Sequence, residues 1–115
     1  MAGRPHVLSV GKDAILMSSR TLLLSNAGYA VEEAYSLDKA ATLVELDSIV
    51  LTLLCHTVPP DERQVLISLV QKKKPLIPII CIRSYAYESF SRNCTAVDND
   101  PEALLQCLKS LIRLN

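Results

Sequence analysis

Residues 49–55 read Ile-Val-Leu-Thr-Leu-Leu-Cys, and Pro59 follows Cys55 by four positions. This Leu-rich, β-branched run shows no apolar–polar alternation. A run of that kind suits a strand covered on both faces, as an inner strand of a parallel sheet is. Working outward, similar runs stand at Val7 to Val10, Val31 to Ala34 and Ile77 to Ile82, with a weaker one at Thr95 to Val97.

Helical patterns lie between them. Asp13 to Ala27 carries Ile15, Leu16, Leu22, Leu23 and Ala27, which are expected to face inward, and Gly28 follows as a stop. Ser36 is placed to cap a helix through Leu46 whose Ala40, Leu43 and Val44 turn inward. Pro60-Asp61-Glu62 makes a first turn for a helix carrying Val65, Leu66, Leu69 and Val70, and Lys72-Lys73-Lys74 suits its negative end. That Lys run reads as a solvated helix end, not as a nucleic-acid patch. A short helix with a weak pattern is expected over Tyr85 to Ser91. The last helix starts at Asp100-Pro101 and carries Leu104, Cys107, Leu108, Leu111 and Ile112.

Strand and helix alternate five times, so right-handed crossovers predict one α/β domain over residues 1–115. The expected sheet is five-stranded and parallel, in the flavodoxin-like order 2-1-3-4-5, with helices on both faces. Its functional crevice falls at the carboxyl ends of the strands.

The 115 residues leave no room for a second domain, and half of them are apolar. Twelve basic residues balance twelve acidic ones, so neither a nucleic-acid nor a membrane surface is expected. No apolar run is long enough to span a bilayer and the first residues do not form a signal peptide, which predicts a cytoplasmic protein. Cys55, Cys81, Cys94 and Cys107 are scattered without metal-ligand spacing and read as free thiols, two or three of them in the core. His6 reads as an exposed terminal residue ahead of the first strand.

The chain resembles a response-regulator receiver domain over essentially its whole length. Val7-Leu8-Ser9-Val10 resembles the first receiver strand, and Ala27-Gly28-Tyr29 with Val31 the passage into the second. Tyr35-Ser36-Leu37-Asp38-Lys39-Ala40 resembles the turn into the second helix. Residues 49–54 with Pro59 resemble the phosphoacceptor strand and the proline after it. Pro78-Ile79-Ile80 resembles the fourth strand, and Asp100-Pro101-Glu102-Ala103-Leu104-Leu105 the start of the last helix. The resemblance implies a stand-alone module of bacterial two-component or phosphorelay signalling, without an output domain, and not an enzyme.

A receiver accepts a phosphoryl group on an Asp, with Mg²⁺ held by that Asp and by an acidic pair after the first strand. In this chain Cys55 stands at the acceptor position. Gly11 and Lys12 stand at the acidic pair, with Asp13 adjacent. The switch hydroxyl position holds Arg83, next to Ser84, and the switch Lys position falls at Val97. A thiol without carboxylates is no Mg²⁺ cage, because this hard cation wants oxygen ligands. Neither aspartyl phosphorylation nor a Mg²⁺ cofactor is expected. The implied form is a degenerate receiver acting through protein–protein contact.

An alternative is a redox or anionic-ligand sensor on the same fold. Lys12 and Arg83 beside Cys55 would favour its thiolate or hold an anion, while His56 is expected on the opposite face of the strand. A small residue filling a retired pocket is the plainer reading of Cys55. Tyr85, Tyr87 and Phe90 fall on the surface through which receivers commonly meet partners or each other, and aromatics there suit an interface. The expected partner is a signalling protein or a second copy of the chain.

Overall fold

The computed structural model describes residues 3–83 and 94–112. Five strands form one parallel sheet in the order β2-β1-β3-β4-β5. They are β1 (His6–Val10), β2 (Ala30–Ala34), β3 (Ile49–Leu54), β4 (Ile79–Arg83) and β5 (Thr95–Asp98). Four helices connect or follow them: α1 (Ala14–Asn26), α2 (Leu37–Val44), α3 (Pro60–Lys73) and α4 (Pro101–Leu111). His6 is therefore the first residue of β1 and not a residue ahead of it, and its Nδ1 lies 3.5 Å from Glu32 Oε1 on the neighbouring β2. The expected short helix over Tyr85 to Ser91 lies outside the described residues.

The caps anticipated at Ser36 and Asp100 form as polar contacts: Ser36 Oγ accepts from the amide of Lys39 and Asp100 Oδ2 from that of Ala103. Asp13, read as the first residue of its helix, is also a cap, its Oδ1 accepting from the amides of Ile15 and Leu16. Gly28 ends α1 at a φ of 104°, which a residue with a Cβ adopts only under strain. The Lys run at the end of α3 does more than meet the helix dipole. Lys73 Nζ pairs with Glu45 Oε1 at 2.9 Å and Lys74 Nζ donates to the Leu46 carbonyl, which clasps α3 to the end of α2.

The sheet has a core on each face. On the α2–α3 side Leu8, Val10, Ile49, Leu54, Leu66, Ile67 and Val70 pack together, with Ala40 and Val44 from α2. On the α1–α4 side Val7, Leu51, Leu53, Ile80, Ile82 and Val97 meet Met17, Leu24, Tyr29, Leu104 and Leu108. Two helix faces differ from expectation. The buried stripe of α1 is Met17, Arg20 and Leu24, while Ile15 and Leu22 are 80% and 64% exposed. Both spacings are helical, and only packing against the sheet selects one of them. On α3, Arg63, Leu66, Ile67 and Val70 are buried and Val65 faces solvent. Leu111 at the end of α4 is half-exposed. Cys55 and Cys81 are buried, and Cys94 and Cys107 are partly so.

Candidate functional site

β1 and β3 are adjacent, so their carboxyl ends bring Gly11 and Cys55 together, as the sequence predicts. The Cys55 amide donates to the Val10 carbonyl at 2.8 Å and the Gly11 amide to that of Ala34 at 3.1 Å. Between the two strand ends sits a side chain that the sequence reading did not place there. Met17 Sδ lies 3.7 Å from both Cys55 Sγ and Ser9 Oγ. A Cβ on Gly11 would meet that sulfur at 2.7 Å, Cys55 Cβ at 3.1 Å and Thr57 Oγ1 at 3.2 Å. A side chain at position 11 would therefore have to displace Met17. The space an acidic side chain would enter is filled by a thioether, a flexible group suited to irregular gaps.

The other expected residues are turned to different tasks. Lys12 Nζ is 2.9 Å from Glu62 Oε1 at the start of α3, and its amide donates to Thr57 Oγ1 at 2.9 Å. The Asp13 carboxylate caps α1. Arg83 Nε pairs with Asp98 Oδ1 at 2.9 Å across β4 and β5. Val97 lies opposite Ile82 in the register and is buried. Ser84, Tyr85, Tyr87 and Phe90 lie outside the described residues. Gly11, Lys12 and Cys55 offer a backbone turn, an ion-paired ammonium and a buried thiol, a donor set that does not match the oxygen ligands of Mg²⁺. Among the described residues no group of three or more His, Cys, Asp or Glu side chains converges on a metal position.

Lys12 and Arg83, expected beside Cys55, are ion-paired with Glu62 and Asp98, and the cation that acts on Cys55 is Arg20, which was not among the expected site residues. Arg20 projects from the buried stripe of α1 and is 7% exposed. Its Nη2 donates to Asn99 Oδ1 at 2.6 Å and lies 3.4 Å from His56 Nδ1. The same guanidinium acts on Cys55, drawing the thiol pKa down through charge and hydrogen bonding. Burial outweighs it, so the Cys55 thiol is pushed above its ordinary 9.0 and stays protonated at neutral pH. His56 and Cys55 both meet Arg20, although strand alternation would send them to opposite faces. β3 ends at Leu54, and the alternation rule ends with it. One signal for Arg20 was legible: it stands three residues after Met17 and four before Leu24, a charge on what is otherwise an apolar stripe.

The architecture is that of response-regulator receiver domains. The chemotaxis response regulator CheY4 of Vibrio cholerae superposes with a TM-score of 0.81 at 17% identity, over 95% of this chain and 99% of that one. A CheY-like receiver domain from Methanospirillum hungatei JF-1 gives 0.79 at 21% identity, covering 95% and 93%. The receiver domain of the sensor histidine kinase PA1611 from Pseudomonas aeruginosa PAO1, with a magnesium ion coordinated in its active-site cleft, gives 0.79 at 17%, covering 96% and 98%. No family model and no curated protein matches the chain. At these identities the likeness is one of fold, shared with proteins of signal transduction. No helix among the described residues is long and apolar enough to cross a membrane.

Proposed function

We propose that the chain is a degenerate receiver, a signalling module that acts through protein–protein contact and takes no phosphoryl group on an aspartate. The observation that carries this reading is the Met17 thioether packed against Cys55 and against the space above Gly11. A receiver needs converging carboxylates there to hold Mg²⁺ and accept phosphate. Here two sulfurs and a glycine meet instead, and Asp13, the acidic residue that follows Gly11 and Lys12, is a helix cap. The role left to such a fold is to present a surface to a signalling partner or to a second copy of itself. Nucleic acid and membrane are not proposed as partners, since acidic and basic residues balance. The setting proposed is the bacterial cytoplasm.

The redox-sensor alternative draws less support, because reactive cysteines are accessible and have lowered pKa values. Cys55 is 1% exposed and its pKa is raised.

The test is incubation with acetyl phosphate and Mg²⁺, followed by intact-mass spectrometry. The expected result is an unchanged mass. A Mg²⁺-dependent phosphoryl adduct would overturn the proposal.

A further inference from the structure

α1 turns an uncharged stripe to solvent. Met17, Arg20 and Leu24 face the sheet, and on the opposite side of the helix Ile15, Ser18, Ser19, Leu22 and Asn26 are exposed. Helical geometry places these five within about 100° of one another. Ile15 and Leu22 are the large members, 80% and 64% exposed. No exposed residue of α1 is charged. The other three described helices differ: α2 exposes Asp38 and Lys39, α3 Asp61 and Lys72, and α4 Glu102 and Lys109. A single apolar side chain in solvent calls for no explanation, but two on one uncharged stripe mark a contact surface.

We infer that this stripe is an interface between two copies of the chain, packed α1 against α1, antiparallel, about a two-fold axis. Two observations select a second copy as the occupant. The first is charge. Packing the stripe on another described helix of a second copy would desolvate that helix's exposed charges, whereas α1 against α1 desolvates none. The second is spacing. Ile15 stands three residues before Ser18 and Leu22 three after Ser19, so the stripe reads large, small, small, large about a midpoint between the two serines. A two-fold axis through that midpoint sets Ile15 of each copy opposite Leu22 of the other. The serines at the crossing let the helix backbones approach, and the apolar side chains close over both ends. The stripe is thus complementary to its own reverse, which is what an isologous contact requires. The inference rests on the proposed contact module and names its surface and its partner. One helix face is smaller than the roughly 800 Å² per partner of a standard interface, so the association is weak and reversible.

The test is sedimentation equilibrium of the full chain, in reducing buffer because Cys94 and Cys107 are partly exposed. The average mass should rise from one chain towards two between about 1 μM and 1 mM. Ile15→Lys alone and Leu22→Glu alone should each weaken association about tenfold or more, since each buries an unpaired charge against the other copy. Both positions are exposed in the single chain, so both variants should keep the wild-type melting temperature. The double variant should recover association, because each new ammonium at position 15 faces a new carboxylate at position 22 of the other copy. Its dimer should weaken in high salt, which the wild-type dimer should not. A mass of one chain at every concentration, or association that the single substitutions leave unchanged, would overturn the interface. Weakening by both single substitutions without recovery in the double variant would overturn the antiparallel register. None of these outcomes alters the result with acetyl phosphate, so the dimer and the degenerate-receiver reading fail separately.

Discussion

Two halves of one crevice, at the carboxyl ends of the strands, differ in their chemistry. Around Gly11, Ser9, Met17 and Cys55 the space is filled with polarizable sulfur. On the other side, around Arg20, His56 and Asn99, a guanidinium is buried beside an amide and an imidazole. The first half is an ordinary piece of core. The second half keeps its charge in a polar setting that includes Asp98 and Asp100. One crevice can therefore be sulfur-packed on one side and charged on the other. Cys55 is the joint between the halves, touching the Met17 sulfur and feeling the Arg20 charge.

The largest effect should come from forcing the inert half back towards acidity. Gly11→Asp, Lys12→Asp and Cys55→Asp together bring three carboxylates to one place and drive a Cβ into Met17 Sδ at 2.7 Å. Overpacking alone costs about 1–3 kcal/mol, and like-charge repulsion adds to it. The triple variant should melt well below the wild type without Mg²⁺ and regain stability as Mg²⁺ is added. Adding Met17→Ala should return the steric part. A triple variant melting with the wild type and indifferent to Mg²⁺ would show that these residues do not share a crevice.

A smaller effect tests the joint. Cys55 has a folded-state pKa above its unfolded 9.0, so the folded state holds its proton more tightly. Its contribution is fully present below pH 9.0 and is lost as pH rises through the folded value. Denaturant titrations between neutral and strongly alkaline pH should show stability falling, by at most about 1.4 kcal/mol per pH unit from one group. Tyr29 and Cys107 are raised by burial as well and share the sign, so the quantity to read is wild type minus Cys55→Ala. Parallel curves for the two proteins would refute the burial of this thiol.

The smallest effect belongs to the mouth of the crevice. The Lys12–Glu62 pair is partly exposed on both sides, so Glu62→Gln should cost about 0.2–1 kcal/mol and less in high salt. A loss of several kcal/mol, insensitive to salt, would mean that Lys12 reaches inward and belongs to the charged half.

The strands, caps and order of the sheet were legible because each rests on local chemistry. Unalternated runs such as residues 49–54 read as inner strands, and Asp13, Ser36 and Asp100 stand at helix starts where their oxygens meet free amides. That positions 11, 12 and 55 hold Gly, Lys and Cys and no carboxylate was equally plain, since it is a matter of residue identity. What the sequence by itself determined, then, is the α/β scaffold and the residue types at the end of its central strands. What packs into the crevice there was settled only by tertiary structure. α1 offers two apolar stripes at helical spacing, and docking on β1, β3 and β4 buried Met17, Arg20 and Leu24 while leaving Ile15 and Leu22 in solvent. That rotation, a choice among long-range contacts with no local signature, put a sulfur against Cys55 and a guanidinium beside His56 and Asn99.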